Sequence, residues 1–229
     1  MKPVVGNTPT ARGAGTRECP LCAAPADPFM TIDGRSYHCC PACEMRFLDP
    51  AQLPSAQEEH AHYLNHENEP DDPRYRRFLS KLAKPLLERL PRASLGLDYG
   101  CGPGPALAAM LREAGHEVLL YDPFFAPDRS PLARAYDFVT CTEVAEHFHQ
   151  PATEFARLRA LVRPGGWLAI MTCFQTDDAR FGDWHYRKDP THVVFYRADT
   201  FRHLAGGWGW SCESPVKDVV LMRRPEVSA

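Results

Sequence analysis

From residue 75 onward, short apolar runs alternate with segments whose apolar residues recur every three or four positions. Such alternation predicts strands interleaved with helices, hence an α/β fold around a mostly parallel sheet. An amphipathic helix runs from Tyr75 towards Leu90, with Pro85 as a kink. The stretch Leu97-Asp98-Tyr99-Gly100-Cys101-Gly102-Pro103-Gly104-Pro105 reads as a buried strand, a glycine turn and a helix opening at Pro105, which continues through 106–114. Strands follow at 117–122 and 136–141, then a helix over 151–162 with Phe155, Leu158 and Leu161/Val162 on one side. Arg163-Pro164-Gly165-Gly166 reads as the turn that ends it, before a buried strand at 167–172. A short helix over 197–205 and a hairpin of 208–214 with 216–223, turning at Pro215, close the pattern.

Composition narrows the class. A chain of 229 residues suffices for one domain with a sizeable core and a small appendage. With 26 basic and 29 acidic residues, the whole chain carries no electrostatic footprint for nucleic acid. No run approaches the roughly 18 apolar residues a membrane span needs. Residues 1–17 lack an apolar signal-peptide core and read as a disordered tail, so the expected location is the cytoplasm. There the nine cysteines are expected as thiols or metal ligands rather than disulfides.

Four of those cysteines have metal-ligand spacing. Cys19-Pro20-Leu21-Cys22 and Cys40-Pro41-Ala42-Cys43 are two hooks separated by a ribbon-length insert, and two hooks close a tetrahedral S₄ zinc site. Cys40 is preferred over Cys39 because it restores the two-residue spacing; Cys39 or His38 is the alternative. A segment this small has little core, so bound Zn2+ is expected to supply most of its folding energy. The module is assigned to 18–48 and a Pro-rich linker or lid to 49–74. A helix there, 58–66, would place His62 and His66 one turn apart, a spacing that permits a metal pair, but no further ligand is evident nearby and a solvated polar helix is the preferred reading.

The glycine stretch departs from the dinucleotide-binding pattern, reading Asp98-x-Gly-x-Gly-x-Gly. It resembles the first motif of the class I S-adenosylmethionine-dependent methyltransferases. The resemblance covers about 75–223, within a domain assigned to 75–229, and implies a three-layer Rossmann-like methyltransferase sheet, with the zinc ribbon in front. It also implies cofactor contacts from Asp98, Gly100, Cys101, Gly102, Gly104 and Glu143. Asp122, 24 positions on from Asp98, would accept hydrogen bonds from the ribose hydroxyls or else cap a turn before Pro123. Between Asp122 and Tyr136 there is no room for the family's usual helix, strand and helix, so a sheet trimmed at its edge is expected.

Thr142-Glu143-Val144-Ala145-Glu146-His147 resembles the E-V-x-E-H segment of ubiquinone-type methyltransferases. If helical, Glu143, Glu146 and His147 share one face. Three readings stand. The acids bond neighbouring backbone and shape the pocket; His147 or a glutamate takes a proton from the acceptor; or the three bind Mg2+ or another divalent cation, as in quinol O-methyltransferases and small-RNA 2′-O-methyltransferases. The aromatic stretch 181–196 is expected beside the transfer site. It offers His192 as general base or fourth ligand, and Tyr186 for the same acceptor. A small-molecule acceptor methylated on oxygen or carbon is the first expectation. RNA held by the zinc ribbon is the alternative acceptor, and a non-catalytic cofactor-sensing or docking module is the alternative of another class.

Overall fold

A computed structural model describes residues 17–64 and 69–226. Its elements in order are β1 (Arg17–Glu18), β2 (Pro25–Ile32), β3 (Arg35–Cys39), β4 (Arg46–Leu48), α1 (Ala56–Tyr63), α2 (Pro73–Leu87), β5 (Leu95–Tyr99), α3 (Ala106–Glu113), β6 (Glu117–Tyr121), β7 (Tyr136–Thr142), α4 (Pro151–Leu161), β8 (Val162–Met171), β9 (Val194–Phe195), α5 (Ala198–Trp208), β10 (Ser211–Glu213) and β11 (Val219–Arg223).

Six strands form the larger sheet in the order β10-β11-β8-β7-β5-β6. The four strands from β8 to β6 are parallel, and β11 is antiparallel to both its neighbours. Alternation along β8 sends Leu168 and Ile170 to one apolar cluster and Ala169 and Met171 to the other. α2 and α3 cover the second face, while α4 and α5 supply Phe155, Leu158, Phe201 and Leu204 to the first. Helices on both faces make the three expected layers. The expected trimmed edge is there too: β6 is the last strand, and only a 3-10 turn, Ser130–Ala133, lies between it and β7.

Two local expectations are corrected. Arg163 to Gly166 is not a free turn but the first half of β8, where the pairing with β7 shifts register between Tyr136 and Phe138. A bulge admits the extra residues without ending the strand. The segment from Glu143 is not a helix: Glu143 sits at φ 52° and only Ala145–His147 makes a 3-10 turn.

The cysteine module is a second sheet of order β1-β2-β3-β4-β9, and its last strand comes from the aromatic stretch of the larger domain. Arg17, assigned to the tail, pairs with Ala26 in β1; the other tail residues, 1–16, lie outside the described residues. The module also has more core than its length suggests. Tyr37, Met45, Phe47 and Leu48 are buried in the same apolar cluster as Phe155, Phe181, Phe195 and Phe201. In the linker, Ser55 and Glu58 form a reciprocal cap at the start of α1. Its expected His62–His66 pair cannot be followed, since His66 lies outside the described residues. No described helix is long and apolar enough to cross a membrane.

Candidate active site

A cavity of about 820 Å³ opens at the carboxyl ends of β5, β6 and β7. That is where an open parallel sheet presents its strand-to-helix loops. One end is built from the glycine turn. Gly100 has φ 78°, and its N–H donates to the carbonyl of Tyr121 at 2.7 Å. A Cβ on Gly100 would meet Val144 Cγ2 at 2.4 Å, whereas one on Gly102, at φ 64°, would meet nothing within 4 Å. Gly100 is therefore demanded by the neighbouring chain, and Gly102 leaves backbone open beside the cavity.

Asp122 ties this end together. Its carboxylate accepts from the N–H groups of Gly102 at 3.0 Å, Phe124 at 2.8 Å and Phe125 at 3.0 Å. It thus caps the turn before Phe124 while lining the cavity with Gly100, Cys101, Gly102 and Phe124. Asp98 and Gly104, both expected at the ligand, are not among the lining residues. Asp98 is buried and accepts from the Thr140 hydroxyl at 2.7 Å; burial pushes its carboxyl up to about 6. Gly104 is buried, and its carbonyl accepts from the Ala106 N–H at 2.7 Å.

The opposite end gathers acids and histidines. The left-handed backbone at Glu143 aims it at the cavity wall, beside Glu146 from the 3-10 turn. Behind both stands Tyr186, which is not a lining residue. Its hydroxyl donates to Glu146 Oε1 at 2.5 Å and lies 3.2 Å from Glu143 Oε2 and 3.1 Å from Thr172 Oγ1. One phenolic proton serves one carboxylate at a time. Burial, with the charge of Glu146, pushes the Glu143 carboxyl up to about 9. Burial raises Glu146 as well, and its Oε2 is buried with no hydrogen-bond partner.

Two histidines complete this end. The Nδ1–H of His192 donates to the Tyr186 carbonyl at 2.7 Å, and that of His147 to the Thr191 carbonyl at 3.0 Å. Both rings are thereby fixed in the tautomer that offers a lone pair at Nε2. Their centroids are 4.8 Å apart, and burial lowers the pKa of His192 so that it stays neutral. One ligand atom from each of Glu146, His147 and His192 lies within 4.8 Å of the others. Glu143 stands outside that trio. The trio and Asp122 line one cavity.

Several lining residues carried no motif. Glu59 and Tyr63 come from α1, which is tied down by Glu59 to His149 at 3.0 Å and by Asp189 to His62 at 3.1 Å. Tyr75 of α2 lines the cavity, whereas Phe78, also on α2, is half-buried against the α2–α3 cluster and does not line it. At the end of β5, Tyr99 joins Glu154 at 2.5 Å and Arg157 at 3.0 Å. Their only sequence signal was position, one at a strand end and two on the helix after the next strand.

Away from the cavity, the four cysteine sulfurs of the two hooks converge. Cys19 and Cys43 are 3.6 Å apart and Cys22 and Cys40 3.5 Å, far beyond a disulfide's ~2.05 Å. The edge of a tetrahedron with Zn–S of about 2.3 Å is roughly 3.8 Å, so the donor set fits Zn2+. Cys39 is outside the cluster. A hydrogen bond from the Cys43 thiol holds Cys19 down at about 5.

A family model described as "Methyltransferase domain" matches residues 71–214. The ubiquinone biosynthesis O-methyltransferase of Paraburkholderia xenovorans (strain LB400) is 51% identical over 37 residues, 16% of each chain. That of Aeromonas salmonicida (strain A449) is 31% identical over 99 residues, covering 33% of this chain and 42% of the relative. The chain thus matches less than half the length of these curated relatives. The solved 1,6-didemethyltoxoflavin-N1-methyltransferase of Burkholderia thailandensis, with bound 1,6-didemethyltoxoflavin and S-adenosylhomocysteine, superposes with a TM-score of 0.51. It is 18% identical and covers 88% of this chain and all of its own, a likeness of fold.

Proposed function

The chain belongs to the methyltransferase-domain family, and from that membership we propose that it transfers the methyl group of S-adenosylmethionine to an oxygen or carbon of a compact small molecule. The observation that carries the proposal is a single cavity with two unlike ends, a glycine turn clasped by Asp122 and a cluster of Glu146, His147 and His192. Bound S-adenosylmethionine supplies an electrophilic sulfonium methyl. The chain's own task is alignment, and orienting two reactants is worth roughly 7–11 kcal/mol of barrier.

At the cofactor end, Gly100, Cys101 and Gly102 offer backbone without bulk. Asp122, already holding three N–H groups, keeps one lone-pair site on Oδ2 for a ribose hydroxyl. At the acceptor end, Glu146, His147 and His192 would hold a divalent cation. A Glu146 carboxylate oxygen and the two tautomer-locked imidazoles are the donors such an ion takes. A cation there lowers the pKa of a bound hydroxyl and orients neighbouring oxygens. Tyr186, whose hydroxyl donates to Glu146 Oε1, keeps that carboxylate in place. The known ligand of the toxoflavin-type enzyme is likewise a compact small molecule, which favours that acceptor class. Cys19, Cys22, Cys40 and Cys43 hold a structural Zn2+ in this reading, with no position left open for substrate.

The test is an assay of cell extract with methyl-labelled S-adenosylmethionine, fractionated into protein, RNA and small molecules. Label in the small-molecule fraction supports the proposal. Label confined to RNA overturns the acceptor class, and absence of S-adenosylhomocysteine release overturns catalysis. Dialysis against EDTA under conditions that retain zinc tests the second ion, since undiminished turnover would remove it.

A further inference from the structure

The wall that carries Tyr186 and His192 has two faces, and its outer face is the cysteine module. Phe181 is buried there among Phe29, Tyr37 and Phe195, with ring centroids 5.1–5.2 Å away. β9 pairs with β4, and Arg46 reaches across to both oxygens of Asp178 at 2.8 and 3.0 Å. The aromatic stretch was expected to build the pocket; most of it instead joins two sheets, and only its inner face reaches the cavity.

Two paths cross this wall. Val193, the residue after His192, accepts at its carbonyl from the Leu48 N–H at 2.8 Å and donates from its N–H to the Glu146 carbonyl at 2.9 Å. One residue thus links the module to the acid cluster. The second path starts at Asp33, in the turn between β2 and β3. Its carboxylate pairs with the buried Arg187 at 2.9 Å, and Arg187 follows Tyr186, whose carbonyl holds the His192 ring. Cys40 and Cys43 lie in the connection between β3 and β4, so the metal knuckle sets the strand from which Leu48 reaches Val193. The cofactor end is held differently, by Gly100 on Tyr121 and Asp122 on Gly102, Phe124 and Phe125.

We propose that the zinc module is a positioning element of the acceptor site: it holds Tyr186 and His192 in register with Glu146 and leaves the cofactor site self-supporting. Asp33, through Arg187, and Leu48, through Val193, are its positioning residues. The inference rests on reading the Glu146–His192 end as the acceptor side.

Asp33→Asn tests it in the full, zinc-loaded chain. Asparagine tolerates the left-handed backbone at this position, φ 52°, so the turn survives while the charge facing Arg187 is lost. A second arm removes zinc with a chelator. Both are read by hydrogen exchange of peptides covering 183–196 and 96–104, and by titration with S-adenosylhomocysteine. The expected result is exchange in 183–196 faster by about tenfold, with 96–104 unchanged and affinity held within about twofold. Unchanged exchange in 183–196 in the Asp33→Asn protein overturns the proposal, and so does an equal loss at 96–104 or in affinity. Should chelation unfold the whole chain, the Asp33→Asn arm decides alone. Failure of the zinc-loaded wild type to bind S-adenosylhomocysteine would defeat the methyltransferase reading, while the exchange comparison still judges the coupling.

Discussion

Alanine at Gly100 would place a Cβ 2.4 Å from Cγ2 and 2.8 Å from Cγ1 of Val144, in a residue whose φ is 78°. Two separate costs arise. Left-handed backbone costs a non-glycine residue about 1–2 kcal/mol. Forcing a methyl into the Val144 side chain adds about 1–3 kcal/mol of overpacking. Gly100→Ala should therefore lose about 2–5 kcal/mol of unfolding free energy. Val144→Ala removes both offending methyls and, at a half-buried site, should cost about 1 kcal/mol by itself. In the double variant the backbone cost persists, and the new Cβ still faces the Val144 Cβ at 3.1 Å, but the worst overlap is gone. The two substitutions should then combine favourably, with an interaction energy of about 1–2 kcal/mol relative to their sum. Urea unfolding of the four zinc-loaded proteins measures this, with m-values checked for constancy. Additivity within about 0.5 kcal/mol would refute the reasoning, because it would mean that the turn absorbs a Cβ without Val144 yielding.

Asp122→Asn keeps the shape but loses the charge that three N–H groups share, and S-adenosylhomocysteine affinity should fall about 10–100-fold by calorimetry. Unchanged affinity would remove Asp122 from the cofactor site. Asp98→Asn should act through pH. Its folded pKa of about 6 lies above the unfolded value, so the contribution of Asp98 is fully present below about pH 4 and is lost as pH rises through 6. The variant should gain up to about 3 kcal/mol at pH 8 relative to wild type and nothing at pH 4, read from urea midpoints. A gain independent of pH would refute burial of an ionised carboxylate. Glu146→Gln and His192→Ala should each weaken Mn2+ binding, followed by electron paramagnetic resonance, by about 10–100-fold, with S-adenosylhomocysteine affinity retained. Mn2+ binding equal to wild type in both would exclude the cation site.

Much of the scaffold was legible along the chain. Apolar runs bounded by glycine and proline marked the strands of the larger sheet, because such patterns report on each segment's own backbone and burial. The short gap after Asp122 announced the missing edge strand, since chain length limits what can be folded between two fixed strands. The hook spacing singled out Cys40 over Cys39, as two residues between thiols suit a chelating turn. Local rules failed where one segment answers to another. Glu143 looked helical by spacing, yet its N–H is taken by the Met171 carbonyl on β8, which breaks the helix before it starts. Arg163 to Gly166 looked like a turn, yet Val162 and Trp167 on either side of it both pair with β7, and Gly165 and Gly166 bond to Arg224.

By itself, then, the amino-acid order determined a trimmed parallel sheet with a glycine turn after its first strand, and a four-cysteine knuckle ahead of it. Tertiary structure alone decided that His192 meets Glu146 and His147, that Tyr186 stands behind the acids rather than in the cavity, and that the knuckle's sheet borrows a strand from the stretch that carries His192. The reason is physical. Periodicity and ligand spacing are set within a few bonds, whereas convergence of residues some 45 positions apart depends on how buried faces pack and which distant carbonyls their N–H groups find.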